Sequence, residues 1–560
     1  MNVKELVPKL NKATFVRDYC EACGVEDVDE FLEPTGKYVQ QTEVYSAIGR
    51  KVKWFREKIE DCERIAILCD SDNDGLCSTT IVYKMLRYLG IPQSNIQFLL
   101  HTDKGHGLTK EIMAQLDQET NITMLLIPDA GSNDIEQIER LLDRYTIVVL
   151  DHHSVNKSNL SKLKQLQKQP NFCIVNNQLE ESTNKNLCGT GVVFKFWQAL
   201  CKYDQDVNNT YANYLDLVAL ANIADVMDMR QLENVAINKW GLGHITNEFL
   251  VALCNKYYQG TILNRITPTN IAWDIAPKLN AVCRSDDQAT KLAVLEAFCD
   301  IRTDYDNVIK AVESCYNKQR NDVKKIFDDI INNQADEQDE YKKVILKTCG
   351  KTPYTGLVAN KLMSHYNKPV ILTHEYKGVC SGSARSPVPL RELVEPIEGV
   401  MYAQGHDEAF GLAFKSQKLG SICDKLEKLK LNNNPERIVA TSLNPSDIPT
   451  WLFGITEQYG KCWGEGVKEP IFYIPHIKIK GSDIREMGNG TTLKFIYKGI
   501  EYLKFFASKN DKEMLKVGKN EPLTLNFLGS LGVNRYGGKE TPQVKIEKFE
   551  VVTERWEDLW

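Results

Sequence analysis

An α/β architecture ending in a small β-barrel is what this sequence predicts, and three observations carry the prediction. Short apolar runs rich in branched residues, Ile65 to Cys69, Met124 to Ile127 and Ile147 to Leu150, alternate with amphipathic stretches from Arg64 to about Trp240. That is the pattern of a parallel sheet with helices on both faces. The alternation restarts after Tyr341, where Lys343 to Leu346 and Pro369 to Leu372 flank a helical stretch from Gly356 to Tyr366. From Ile471 onward short strands separated by turns replace it, as in a five-stranded barrel.

Taken in order, residues 1–60 read as helical, since Val39 to Ile59 carries apolar residues at intervals of three and four and would pack on the core. Residues 61–285 form the parallel-sheet domain. Residues 286–340 are charged and periodic, with no Pro or Gly between Ser285 and Asn333, which predicts one long connecting helix. Residues 341–420 make the smaller α/β unit. Residues 421–466 read as a helical linker containing the polar break Asn432 to Pro435. Residues 467–560 make the barrel, with strands at Ile471 to Ile479, Thr491 to Tyr497, Tyr502 to Phe506, Leu523 to Leu528 and Gln543 to Val551.

Composition excludes several classes. The 560 residues are 42% hydrophobic, enough for several cores, and no apolar run reaches the length of a membrane span. Met1 to Cys20 lacks a charged-then-apolar leader, so the expectation is a cytoplasmic protein without a membrane partner. The 16 cysteines are scattered and partly inside apolar runs, which predicts reduced core thiols. Cys20 and Cys23 have no second pair at zinc spacing.

The chemistry lies in acids and histidines at the carboxyl ends of three strands: Asp70-Ser71-Asp72-Asn73-Asp74-Gly75, Asp129-Ala130-Gly131 and Asp151-His152-His153. Ligands bind at that edge of an open α/β sheet. Alone, the first stretch could be a solvated or calcium-type loop, though it lacks the Glu that an EF-hand needs at its twelfth position. Adjacent histidines could merely cap a helix. Together they suit Mn²⁺, Mg²⁺ or Zn²⁺, and two such ions about 3.5–4 Å apart can clamp the attacking and leaving oxygens of a phosphoryl group. Phosphodiester hydrolysis is the expected reaction.

On these residues the chain resembles the DHH phosphoesterase superfamily, and within it the RecJ-type single-strand-specific exonucleases. Asp70, Asp72 and Asp74 match the first motif, Asp129 with Gly131 the second, Asp151-His152-His153 the third, and Asp225 in Ala221-Asn222-Ile223-Ala224-Asp225-Val226 the fourth. Gly105-His106-Gly107-Leu108, Cys188-Gly189-Thr190-Gly191-Val192, Ala276 to Ala281 with Arg284, and Ser383-Ala384-Arg385-Ser386 resemble RecJ more narrowly. Gly405-His406 is similar to the Gly-Gly-His of a DHHA1 domain, and the barrel to an OB-fold.

The resemblance implies two divalent ions, Mn²⁺ first and Mg²⁺ as the alternative. Asp129 would bridge them, with Asp72 and Asp74 on one side, His152 and Asp225 on the other, and Asp70 as ligand or outer partner. His153 would lie at the substrate phosphate, stabilising charge or protonating the leaving oxygen, while Asp151 orients a histidine. Asn280, Arg284, Ser383, Arg385 and His406 match positions that hold the terminal nucleotide and its phosphate, for which the arginine fork is suited. The implied activity is 5′ to 3′ hydrolysis of single-stranded DNA to mononucleotides in repair or recombination, with a single-strand-binding protein or helicase as candidate partner. The alternatives are a phosphodiesterase for short oligoribonucleotides or cyclic dinucleotides, and a non-catalytic replication scaffold.

Three departures matter. His101 stands where RecJ-type loops carry an arginine, His106 replaces a tyrosine, and Gln404 replaces the first glycine before Gly405-His406. From His101, weak and pH-dependent selectivity for a 5′-phosphate is expected. The formal net charge of −6 opposes DNA at long range, but residues 467–550 carry 15 Lys and Arg against 10 Asp and Glu. These are interleaved with Phe472, Tyr473, Phe495, Tyr497, Tyr502, Phe505, Phe506 and Tyr536, the combination that stacks single-stranded bases.

Overall fold

In this computed structural model the described residues are 1–560 except 41–46, 103, 180–183, 205–209, 259–262, 335–338, 340, 432–435, 489, 537–538 and 553–560. Five parallel strands form the first sheet: β1 (Ile65–Cys69), β2 (Ile96–Leu100), β3 (Met124–Pro128), β4 (Thr146–Asp151) and β5 (Phe172–Asn176), in the order β2-β1-β3-β4-β5. Their period of two divides the side chains between two cores. Ile65, Ile67, Met124, Leu126, Val148 and Leu150 face one layer, while Ala66, Leu68, Leu125, Ile127, Ile147 and Val149 face the other. Burial on both faces is why these strands read as continuous apolar runs.

Helices α1 (Asn73–Tyr88), α2 (Gly189–Tyr203), α3 (Leu215–Ala224) and α4 (Ala276–Cys283) gather in the first layer. Asp72 caps α1 by accepting from the Gly75 amide at 3.0 Å, a contact worth about 1 kcal/mol. Lys195 of α2 is fully buried and pairs with Glu233 at 2.5 Å, while its Nζ also donates to the Val39 carbonyl at 2.8 Å.

The expected single connecting helix is two. Gln288–Phe298 ends before Asp300, whose φ of +58° turns the chain, and α5 (Tyr305–Asn333) then carries it to the second unit. There β6 (Ile345–Thr348), β7 (Val370–Tyr376), β8 (Val379–Arg385), β9 (Val400–His406) and β10 (Ala409–Lys415) form a sheet ordered β9-β10-β8-β7-β6, with α6 (Thr355–Tyr366) against it.

The linker is mixed, with helices at Leu419–Glu427 and Leu452–Gln458 and a strand at Arg437–Val439 between them. Its polar break at 432–435 lies outside the described residues. The C-terminal sheet has six strands where five were expected: β11 (Phe472–Lys480), β12 (Arg485–Met487), β13 (Thr492–Tyr497), β14 (Ile500–Phe505), β15 (Pro522–Tyr536) and β16 (Lys539–Val551), ordered β11-β15-β16-β14-β13-β12. β12 escaped the sequence reading because all three of its residues are exposed, so no alternation marks it.

The N-terminal segment does not pack as one piece. Val39, Ile48, Val52, Phe55 and Ile59 join the catalytic core. Phe15, Tyr19, Cys20, Val28 and Phe31 instead share a core with Trp463, Phe472, Tyr502 and Phe527 of the C-terminal module, and Val3–Glu5 pairs in parallel with Arg437–Val439. All 16 cysteines are free thiols. Among the described residues no helix is long and apolar enough to cross a membrane.

Candidate metal centre

The strand ends meet as the motifs predicted. Asp70 follows β1, Asp129 follows β3, Asp151 ends β4, and Asp225 caps the C-terminus of α3. Their ligand atoms, with those of Asp72, Asp74, His152 and His153, form three overlapping groups each spanning less than 4.8 Å: Asp70 with Asp72 and Asp129, Asp74 with His152 and Asp225, and Asp129 with His152 and His153. Asp129 belongs to two of the three. Asp74 groups with His152 and Asp225, and its charge also acts on Asp72.

Each of these side chains is aimed by local structure. Asp74 accepts from the Gly189 and Thr190 amides at the start of α2, both at 2.7 Å. A side chain on Gly189 would put a Cβ 2.4 Å from Asp129 Oδ1, so only glycine lets α2 approach this closely. Asp129 adopts a left-handed φ of +60° and ties its own amide to the Leu150 carbonyl at 2.8 Å. Asp151 is fully buried and receives the His152 and His153 amides at 2.7 and 3.1 Å and His153 Nδ1 at 2.8 Å on one oxygen. The other oxygen receives the Ser132 amide at 3.0 Å. Asp151 therefore orients His153.

Electrostatics sort these groups. Burial, and after it Asp74, Asp72 and Asp70, push Asp129 well above the usual carboxylate range. Burial and the same kind of repulsion raise Asp72 and lift Asp225 to about 8. Asp70 differs: burial opposes its ionisation, but the imidazoles of His101 and His106 outweigh that and hold it at about 2. His152 is depressed by burial, which favours the neutral imidazole that metals bind. His153 is raised because its contact with Asp151 outweighs burial. His152 Nε2 lies 3.4 Å from Asp129, 3.6 Å from Asp225 and 3.7 Å from Asp74.

Asp129 Oδ1 is buried without a hydrogen-bond partner. An orphaned carboxylate oxygen amid mutually repelling acids calls for a cation, so the donor set fits divalent metal.

The residues expected to hold the terminal nucleotide fall into two groups. Arg284 ends α4, its Nε buried without a partner, and Asn280 Oδ1 is likewise unpaired. Arg385, at the end of β8, is depressed by burial and by Arg284 nearby. Ser383 Oγ meets Thr355 Oγ1 at 3.0 Å. A Cβ on Gly356 of α6 would stand 2.7 Å from Arg385 Nη2, which packs the helix N-terminus against this arginine. His406 is exposed and lies across from Ala409, itself opposite Arg385, so it shares that sheet edge.

His101 is a correction. It is buried at 2%, with its Nε2 3.6 Å from Asp70, and Gly105 is pressed onto its ring. It backs the centre and does not face a groove. Lys104 is an exposed basic residue of the same loop. Desolvation of its ammonium, and after it the charges of Arg284 and Arg385, depress it. The loop is fixed by Gly105 N to Ser71 Oγ at 3.1 Å, Gly107 N to Asp70 Oδ1 at 3.1 Å and His106 Nδ1 to Asp70 Oδ2 at 2.8 Å. Of the barrel aromatics, Phe472, Phe495 and Tyr502 are buried, whereas Phe505 and Phe506 are exposed at 42% and 85%. Tyr536's side chain lies outside the described residues.

A model of the DHH family, N-terminal domain, matches residues 64–222, and a model of the RecJ OB domain matches residues 440–548. YorK of the SPbeta prophage of Bacillus subtilis (strain 168), to which a single-strand DNA-specific exonuclease function is ascribed, is 28% identical over 574 residues, covering 96% of each chain. Single-stranded-DNA-specific exonuclease RecJ of Haemophilus influenzae is 23% identical over 492 residues, covering 79% of this chain and 80% of the relative. The crystal structure of RecJ in complex with Mn²⁺ from Thermus thermophilus superposes with a TM-score of 0.71 at 20% identity, covering 99% of this chain and 80% of that one. The chain thus carries a DHH-type N-terminal domain at residues 64–222 and a RecJ-type OB domain at residues 440–548, in an architecture similar to that of RecJ.

Proposed function

We propose that this chain is a metal-dependent exonuclease that hydrolyses single-stranded DNA from its 5′ end to mononucleotides. The observation that carries the reading is buried Asp129, which belongs to two ligand groups and keeps one oxygen without a hydrogen bond, with the basic residues Lys104, Arg284 and Arg385 near the centre. The relatives named for single-strand-specific exonuclease activity support it.

Asp70, Asp72, Asp74, Asp129, His152 and Asp225 would hold two divalent ions, Mn²⁺ or Mg²⁺, which when bound activate water and offset charge on the phosphoryl group. Arg284 and Arg385 bind the terminal phosphate, Asn280 and Ser383 hold the nucleotide beside it, and His406 closes that sheet edge. His153 keeps its proton through Asp151 and can deliver it from Nε2 to the departing oxygen. The exposed Phe505 and Phe506 on a basic module suit stacking of a longer strand. Work in DNA repair or recombination in the cytoplasm fits this chemistry.

A time course with Mn²⁺ or Mg²⁺ on strands labelled at the 5′ or 3′ end, comparing DNA, RNA and duplex, tests the reading. Mononucleotides released from the 5′ end of single-stranded DNA are expected. Activity confined to very short RNA would favour the small-substrate phosphodiesterase instead.

A further inference from the structure

A groove of about 580 Å³ opens directly beside the metal centre, between α3 and α4 on one side and the approach to the barrel on the other. Val226, next to the ligand Asp225, lines it together with Met227, Trp273, Trp463 and Lys468. Three features set it apart from ordinary surface. Trp273 is 70% exposed, an unusual placement for an indole, and it projects from a π-helical turn at Ile271–Ile275, a distortion common at functional sites. Asn222, one turn before Asp225 and only 1% exposed, has neither its amide nitrogen nor its amide oxygen paired. The Trp463 indole nitrogen is also buried and unpaired.

Unpaired buried polar atoms are costly and point to a missing partner. A largely apolar slot with an exposed indole, buried unpaired polar atoms of Asn222 and Trp463 in its lining, and Glu465, Lys468 and Glu469 also along it matches a flat heterocycle with a polar edge. Its position decides between candidates. The phosphate-binding arginines lie on the second-unit side of the centre, whereas this groove leaves Asp225 toward the C-terminal module.

We propose that the groove holds one unstacked nucleobase of the strand, on the barrel side of the scissile phosphodiester. The base stacks on Trp273, and its edge meets the Asn222 amide and the Trp463 N–H. The Asn amide offers both a donor and an acceptor, so each of the four bases can be accepted. Lys468 lines the same groove, 3.9 Å from the Glu465 carboxylate. This inference rests on the nuclease reading for its substrate class.

The test is a binding cycle in EDTA, where the strand stays intact. Anisotropy of a labelled twelve-nucleotide strand is read with an abasic residue placed in turn at each of the first six positions. In wild type one position should raise Kd about tenfold, the usual scale for one stacked base. Trp273→Ala should weaken the intact strand by a similar factor and erase that positional effect, while Trp273→Phe keeps it. Trp273→Ala binding like wild type, or weakening every strand equally with the positional effect intact, overturns the proposal and leaves the groove to another occupant. Because the cycle is read on binding, a failure of wild type to cleave the same strand with Mn²⁺ would count against the nuclease reading and not against the groove.

Discussion

Asp129 concentrates the demands of the centre: a left-handed backbone, full burial and an oxygen with no hydrogen-bond partner. Asn tolerates that backbone and nearly matches the shape, so Asp129→Asn isolates the charge. Hydrolysis should fall by more than the roughly 10- to 100-fold that outer partners of metal ligands are worth. The metal-free protein should meanwhile melt a few degrees higher as repulsion with Asp74 and Asp72 is relieved. Parallel loss of melting temperature and activity would mark the residue as structural. His101 yields a different expectation from the one its position in the chain encouraged. Since it is buried against Asp70, His101→Ala should cost about 1–3 kcal/mol of stability and leave the cleavage ratio of 5′-phosphorylated to 5′-hydroxyl strands unchanged, whereas Lys104→Ala should lower that ratio. Both are read from melting curves and paired rate measurements. The acids and histidines were legible because ligand chemistry restricts which residues can serve. Gly189 and Thr190 as amide donors to Asp74 were not, because that contact spans more than a hundred residues and uses only backbone and hydroxyl groups.

At the scale of elements, the catalytic strands announced themselves because double-sided burial leaves no polar position. The break near Asp300 did not. Asp is no helix breaker by composition, and the turn coincides with an ion pair from Lys84 that only the fold brings near. A second hidden tie joins α2 to the helix Leu232–Gly243, since Lys195 is fully buried on Glu233. Removing one partner of a buried pair typically costs about 3–5 kcal/mol, while replacing both with apolar groups is far milder. Lys195→Ala should therefore destabilise strongly in denaturant titration, and Lys195→Met combined with Glu233→Leu should recover most of the loss. A double variant as unstable as the single one would mean that the Val39 carbonyl and Asn184, which also bond this pair, carry the effect.

For the whole molecule, the alternation of apolar runs exposed the three folded units. The way they are sewn together stayed hidden, because Phe15 or Phe31 reads as apolar wherever its partner lies. That packing sets the outcome of truncation. Cutting the chain near residue 467 uncovers Phe15, Tyr19, Cys20, Val28 and Phe31 along with the remainder of their shared core. The shortened protein should aggregate or bind a hydrophobic dye such as ANS, and not survive as a clean catalytic fragment. Phe506→Ala, by contrast, alters an exposed ring and should weaken long single strands about tenfold with the melting temperature unchanged.

The parallel pairing of Val3–Glu5 with Arg437–Val439 also has a meaning in time. A ribosome emits the stretch from Val3 to Phe31 long before the strands it needs, so that stretch waits unpaired while the catalytic sheet assembles behind it. Its docking must await the emergence of Arg437–Val439 and the barrel. Any chain abandoned before then keeps a greasy, accessible stretch, which is what chaperones and proteases recognise. The seam between these distant segments thus doubles as a completeness check on each new copy.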